Sequence, residues 1–177
     1  MRRLPSLAAA VAAALLTGVA PTVADEPVRV EGLADWLAGA PGPDHAARAY
    51  PQYAQQKPST PIRLMGVATL MGRLRLGDRP FIVDVRTYPE FLEAHLPDAV
   101  NIPLAEVEKR IGEFPRQGTV VLYRACPHHL ASLASEKLYK AGYRNMYVLD
   151  EGIPGWARMG YPIEQGPPKA PRRTSLR

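Results

Sequence analysis

The sequence predicts an α/β fold in which a central parallel sheet is flanked by helices on both faces. Between residues 62 and 165, short β-branched apolar runs alternate with segments whose apolar residues recur at helical spacing. Strands that alternate with helices in this way form parallel sheets. The run at residues 81–85 is apolar apart from Asp84, as expected of a strand that is buried on both faces. In such folds, ligands bind at the carboxyl ends of the strands.

Four short apolar runs are predicted to be the strands of this sheet. Each is bounded by polar residues, glycine or proline, and most are rich in β-branched or aromatic side chains. The predicted strands are residues 81–85, 99–102, 119–123 and 146–149.

Five segments between and beside these strands are predicted to be helices. They are residues 65–76, 89–95, 104–114, 130–141 and 153–159. Pro89 suits the first turn of a helix, where a backbone N–H is not needed. The segment at residues 104–114 is amphipathic, with charged side chains on its predicted exposed face. Gly142 is expected to end the preceding helix in a left-handed conformation.

Residues 1–24 are predicted to be a cleaved signal peptide. Arg2 and Arg3 precede an apolar run, and small residues occupy Thr22 and Ala24, the two positions that a signal peptidase recognises. An uncleaved anchor is the alternative, but the apolar run is shorter than the roughly 20 residues that span a bilayer. We therefore expect cleavage after Ala24, no stable membrane insertion afterwards, and a periplasmic or secreted protein.

The predicted mature chain has one domain and two flanking segments. Residues 25–61 form an irregular, proline-rich extension whose aromatic residues Trp36, Tyr50 and Tyr53 are expected to pack on the domain. Residues 166–177 are predicted to be a disordered, basic tail. Cleavage removes two arginines and no acidic residue, so the formal charge falls from +5 to +3. Because the basic residues are scattered, without interleaved aromatics, we expect no nucleic-acid partner.

The chain contains a single cysteine, Cys126, between a predicted strand and a predicted helix. At this position the positive end of the helix dipole favours the thiolate, which is the reactive form of cysteine. Arg124, His128 and His129 strengthen the effect if they point inward. Exported proteins usually pair their cysteines, so a lone thiol is buried, reactive, joined to another molecule or bound to metal. We predict that Cys126 is a nucleophile; the alternative is a small buried residue without chemistry.

Four motifs occur in an order and at a spacing that resemble the rhodanese-like domain family. They are FIVDVR at residues 81–86, HLPDAVNIPL at 95–104, VVLY at 120–123 and VLDEGIPGW at 148–156. The resemblance covers residues 62–165. It implies a central parallel five-stranded sheet flanked by helices on both faces.

The resemblance also implies a sulfurtransferase. In this family, a loop cysteine takes sulfane sulfur from a small anionic donor such as thiosulfate, becomes a persulfide, and passes the sulfur to a thiol or cyanide. No cofactor is implied. Carried onto this chain, Cys126 is the catalytic residue, and Arg124, His128 and His129 are expected to bind the substrate. The family's cysteine usually follows the strand directly; if Tyr123 ends the strand, Arg124 takes that position and Cys126 lies two residues later.

Asp84 and Arg86 resemble the family's Asp-x-Arg at the end of a central strand. We predict that they form an internal ion pair that ties the active-site loop to the sheet, and so act as structural support. Arg124 has two alternative predicted roles: it binds a substrate anion, or it forms a salt bridge on the surface.

Three other functions compete with a sulfurtransferase. The first is a catalytically inactive rhodanese-like module that binds a periplasmic protein or carries sulfur without turnover. The second is a metal site at Cys126, His128 and His129; it is disfavoured because no fourth ligand is evident, and we expect no metal. The third is a phosphatase of the same fold, which needs an arginine six residues after the cysteine, where this chain has Ser132.

Overall fold

The computed structural model describes residues 50–125 and 129–168. The predicted signal peptide, most of the extension and most of the tail lie outside these ranges. So does the three-residue segment 126–128, which contains the cysteine.

Five parallel strands form the centre of the described structure. They are β1 Leu64–Met65, β2 Phe81–Asp84, β3 Val100–Asn101, β4 Val120–Tyr123 and β5 Met146–Leu149. Their order across the sheet is β1-β5-β4-β2-β3, and every pair of neighbours is parallel. The middle strand, β4, is buried along its whole length. The predicted parallel sheet is confirmed, and so is the number of five strands that the family resemblance implies.

Helices cover both faces of this sheet, as predicted. They are α1 Val67–Arg75, α2 Tyr88–Glu93, α3 His129–Lys140 and α4 Gly152–Arg158, with 3-10 turns at Pro51–Tyr53 and Ile111–Glu113. Helix α3 packs on one face, and α1, α2 and α4 pack on the other. Successive strand residues alternate between the faces: Val83 and Leu122 point to the first, Ile82 and Val121 to the second. No helix in the described ranges is long and apolar enough to cross a bilayer.

Strand β1 is not predicted by the sequence. The apolar pattern predicts a helix from residue 65, but the helix begins at Val67, and Leu64 and Met65 pair with the edge of β5. A strand of two residues is too short to show the alternation that distinguishes strands from helices.

The predicted helix at residues 104–114 is wrong. The segment is a series of turns that ends in the second 3-10 turn. Its apolar residues still face the sheet, because Leu104, Val107 and Phe114 are buried, and their spacing produces the helical pattern. Gly112 disfavours a continuous helix here by about 1 kcal/mol relative to alanine.

Helix α4 begins in close contact with the loop that follows β4. The backbone N–H of Ile153 donates to the carbonyl oxygen of Arg124, at 3.0 Å. Gly152 has a φ of +56°, and a Cβ atom there would lie 2.3 Å from the same carbonyl oxygen. Only a glycine at position 152 therefore allows the start of α4 to approach the carbonyl of Arg124 closely enough for this hydrogen bond.

We expect Gly152→Ala to destabilise the protein by about 2–5 kcal/mol. The left-handed backbone costs an alanine about 1–2 kcal/mol, and the clash with Arg124 adds about 1–3 kcal/mol. Gly160→Ala is the matched control, because Gly160 has a φ of +69° and nothing within 4 Å of the added carbon. Urea unfolding of both variants measures the difference; equal losses would contradict the close contact.

Candidate functional site

Charged and polar side chains from three parts of the chain meet at the carboxyl ends of the strands. Asp84 and Arg86 lie at the end of β2, Arg124 follows β4, and His129 begins α3. Because β4 ends at Tyr123, Arg124 occupies the first position after the strand. This edge is where ligands bind in parallel sheets of this kind.

Cys126 and His128 lie outside the described residues, so their catalytic and substrate-binding roles stay predictions. The residues on either side of them are described. Ala125 is 4 % exposed, and His129 is the first residue of the 12-residue helix α3. The intervening segment thus runs from the carboxyl end of the central strand to the amino end of a helix, which carries a partial positive charge.

Asp84 and Arg86 form a buried, bidentate ion pair. The Nε atom of Arg86 donates to both carboxylate oxygens at 3.0 Å, and one terminal nitrogen donates to Oδ2 at 2.6 Å. Burial lowers the pKa of Arg86, but the adjacent Asp84 raises it by more, so the guanidinium stays charged. The same guanidinium donates to the carbonyl of Ala94, and the amide of Asn101 donates to the carbonyls of Asp84 and Arg86. This geometry favours the predicted structural role.

Tyr123 extends this polar cluster under the edge of the sheet. Its hydroxyl accepts a hydrogen bond from the backbone N–H of Leu96 at 3.1 Å. Burial and the charge of Asp84 raise the pKa of Tyr123 well above its usual value. The phenol is therefore neutral, and it joins β4 to the loop after α2.

Arg124 is buried, not on the surface. The residue is 1 % exposed, which is incompatible with a surface salt bridge. The guanidinium carbon lies 5.8 Å from the centre of the Tyr50 ring, within reach of a cation–π interaction. Arg124 therefore places a positive charge in the interior, two residues before Cys126.

Tyr50 connects the N-terminal extension to this site. Its hydroxyl donates to Glu90 at 2.8 Å and accepts from the backbone N–H of Thr87 at 2.8 Å. Thr87 and Glu90 also form a capping box at the start of α2. Tyr50 is 6 % exposed, so its predicted packing on the domain is confirmed. Burial and the Glu90 carboxylate raise the pKa of Tyr50 to about 12.

Tyr50 and Glu90 are parts of the site that no single sequence motif predicts. The capping box was detectable, because Thr87 and Glu90 have the spacing of that motif. No local pattern could place Tyr50 beside them, because 37 residues separate Tyr50 from Thr87.

His129 is uncharged at neutral pH. Burial and the nearby charge of Arg124 lower its pKa, so it can contact a substrate through a hydrogen bond but not as a cation. Its Nε2 atom has no hydrogen-bond partner among the described residues. Within residues 50–125 and 129–168, no group of three or more His, Cys, Asp or Glu side chains could hold a metal ion.

We expect Arg86→Met to lower the free energy of unfolding by about 3–5 kcal/mol, because it leaves the carboxylate of Asp84 buried without its countercharge. Arg110→Met is the control: Arg110 also contacts carboxylates, but its side chain is 33 % exposed. Breaking exposed pairs costs about 1 kcal/mol or less. Chemical denaturation measures both. Similar losses in the two variants would show that the Asp84 pair is not a major support.

Tyr50→Phe should lower stability by about 1–2 kcal/mol at pH 8, because it leaves polar groups of Thr87 and Glu90 without their hydroxyl partner. Because the pKa of Tyr50 is higher in the folded protein than in the unfolded chain, where it is about 10, the neutral hydroxyl stabilises the fold fully below pH 10. This stabilisation is lost as the pH rises towards the folded pKa of about 12. The difference from wild type should therefore shrink between pH 10 and 12. Urea unfolding across this range tests the trend, with Tyr53→Phe as control. A constant difference would contradict it.

Comparison with known proteins agrees with this fold. The family model of the rhodanese-like domain matches residues 68–159. A sulfurtransferase of Allochromatium vinosum is 34% identical over 96 residues, which cover 54% of this chain and 88% of that protein. The HTH-type transcriptional regulator Rv0324 of Mycobacterium tuberculosis is 30% identical over 101 residues, covering 57% of this chain and 44% of that protein.

Among solved structures, thiosulfate sulfurtransferase from Pseudomonas aeruginosa has a TM-score of 0.54 and 26% identity, over 59% of this chain and 20% of that one. The chain thus spans less than half of the regulator and a fifth of this enzyme, so these similarities concern one domain. Because the family model matches just over half of the chain, and the sheet order and the neighbouring structures agree with it, the chain belongs to the rhodanese-like domain family.

Proposed function

We propose that this protein is a sulfurtransferase that carries sulfur as a persulfide on Cys126. In the first step, the thiolate of Cys126 attacks the outer sulfur of thiosulfate. A sulfur–sulfur bond forms, the bond inside thiosulfate breaks, and its electron pair leaves with sulfite. In the second step, a thiolate or cyanide attacks the outer sulfur of the persulfide, and the electron pair of the broken bond returns to the Cys126 sulfur.

The observation that carries this proposal is the position of the cysteine between two described residues. Ala125, the second residue after the central strand, is buried, and His129 begins α3. A thiol in this interval is exposed to the partial positive charge at the helix start and to the buried charge of Arg124. Both favour the thiolate, and both attract an anionic donor. The sulfurtransferase of A. vinosum, which matches over 96 residues, supports the same class of activity.

We also propose that the protein acts outside the cytoplasm. The charged, apolar and small-residue regions of residues 1–24 have the order of a signal peptide, which supports export and cleavage after Ala24. Exported proteins usually pair their cysteines, but the single cysteine of this chain cannot form an internal disulfide, so its thiol stays available for the proposed chemistry.

Thiosulfate treatment should increase the intact mass of the protein by one sulfur atom, and cyanide should then remove the added mass. Cys126→Ser should show no increase, because the chain has no other cysteine. Intact-mass spectrometry measures the gain and the loss of the sulfur atom. The same measurement on protein isolated from whole cells tests export, because cleavage after Ala24 gives a mature chain that begins at Asp25. No adduct with thiosulfate or polysulfide would overturn the catalytic proposal.

A catalytically inactive module is the second candidate. Arg124 occupies the position directly after β4, where the resembled family usually has its cysteine, and this observation favours loss of turnover. Such a module would bind a periplasmic protein through contacts that survive Cys126→Ser. Sulfur loading of Cys126 together with discharge to an acceptor would exclude this candidate.

A further inference from the structure

A cavity of about 410 Å³ lies beside the amino end of α3. His129 and Ser132, which are three residues apart and share one face of the helix, form one wall. Residues 54–58 and Ile62 form the other. The volume lies in the range of sites that hold small organic ligands. The second wall comes from outside the family match at residues 68–159, so it is a feature of this chain.

Two polar atoms in the cavity wall have no hydrogen-bond partner among the described residues. They are the hydroxyl of Ser132, a residue that is 2 % exposed, and Nε2 of His129. A buried hydroxyl without a partner costs about 1–3 kcal/mol, and most buried polar groups in proteins are satisfied. The hydroxyl of Ser132 can therefore form a hydrogen bond that no described residue supplies, and a ligand in the cavity is one source of it.

The wall opposite α3 is attached to the domain at both of its ends. Before it, Tyr50 bonds to Glu90 and to the backbone of Thr87. After it, the hydroxyl of Ser59 donates to Glu136 of α3 at 2.6 Å. The wall is therefore held against the domain by hydrogen bonds at both of its ends.

The wall also defines the chemistry of the ligand. Lys57 is exposed and is the only charged residue that lines the cavity within the described ranges. Ile62 and Pro58 contribute apolar surface to the cavity. A ligand that satisfies all three regions has an anionic group, a short hydrocarbon part and a polar end directed at Ser132 and His129.

We propose that this cavity binds the sulfur acceptor, and that the acceptor is a small organic thiol with a carboxylate. The inference rests on the proposed persulfide chemistry of Cys126, which lies three residues before His129. The carboxylate faces Lys57, and the thiol end lies against Ser132 and His129. The acceptor thiol loses its proton to solvent, its thiolate takes the outer sulfur of the persulfide, and Cys126 is released as a thiolate. Atoms and charge balance without another reactant.

The test compares three acceptors of similar size: 3-mercaptopropionate (anionic), 2-mercaptoethanol (neutral) and cysteamine (cationic). Sulfur discharge from persulfidated protein is followed by intact mass in wild type and in Lys57→Gln. The variant should raise the KM for 3-mercaptopropionate about threefold, as expected for an exposed ion pair, without change in kcat or in discharge to 2-mercaptoethanol. Because each thiol is compared with itself across variants, differences in intrinsic nucleophilicity cancel. Lys109→Gln, at an exposed lysine outside the cavity wall, is the control and should behave as wild type.

Ser132→Ala tests the polar end. It removes a hydroxyl that has no partner among the described residues, so stability should be unchanged or slightly increased. The KM for 2-mercaptoethanol and 3-mercaptopropionate should rise by a similar factor, about threefold or more. Unchanged KM values in both Ser132→Ala and Lys57→Gln would overturn the acceptor site.

A binding measurement separates this inference from the proposed function. The thioether 3-(methylthio)propionate cannot accept sulfur, and its binding is followed by amide shifts in NMR spectra. Shifts at Ile62 and Ser132 that are lost in Lys57→Gln support the cavity. If persulfide forms and discharges but the thioether does not bind there, the inference fails and the proposed function stands. If no persulfide forms with any donor, the proposed function fails and the acceptor role fails with it.

Discussion

The carboxyl edge of the sheet depends on the buried pair of Asp84 and Arg86. Both side chains are almost completely removed from water, so each charge is tolerated only because the other is present. Neighbouring polar groups depend on this pair: the Asp84 charge helps to keep the Tyr123 phenol neutral, and the Ala94 carbonyl accepts a hydrogen bond from the guanidinium. The amide of Asn101 then joins the backbone on both sides of Val85. Strands β2, β3 and β4 and the residue after α2 are thereby held together at the edge of the sheet from which the chain continues to Cys126.

A second support comes from the extension. Tyr50 belongs to the segment before the matched domain, yet it is buried in the core on the α3 face and hydrogen-bonds to the start of α2. Its ring lies against the guanidinium of Arg124. The same segment continues into the cavity wall at residues 54–58. The domain thus supplies the sheet edge and helix α3, while the extension contributes Tyr50 beside Arg124 and one wall of the cavity.

The parts of the fold that the sequence predicts are those with a strong periodic pattern. Strands β2 and β4 are continuous apolar runs because both of their faces are covered, and α3 shows helical spacing over three turns. The pattern fails in two places. Residues 104–114 bury apolar side chains at helical spacing, but their backbone forms a series of turns. Strand β1 is too short to show any periodicity. For the site, Asp84 and Arg86 are close in sequence and were predictable as a pair. The burial of Arg124 beside Tyr50 and the unsatisfied hydroxyl of Ser132 depend on contacts between distant segments, which no local pattern contains.

In the proposed reaction, thiosulfate, the persulfide and the acceptor thiolate are all anions. Arg86 contributes little to their binding, because Asp84 already matches its charge beneath the edge. His129 contributes no charge at neutral pH, because burial and Arg124 lower its pKa. Among the described residues near Cys126 in the sequence, positive charge is supplied by the guanidinium of Arg124 and by the amino end of α3. The charge of Lys57 lies at the outer wall on an exposed side chain. In this proposal, a carboxylate on the acceptor strengthens binding at the outer wall without altering the step in which the sulfur–sulfur bond forms. Acceptors with and without a carboxylate should therefore differ in KM, whereas the rate of sulfur transfer depends on the buried charges.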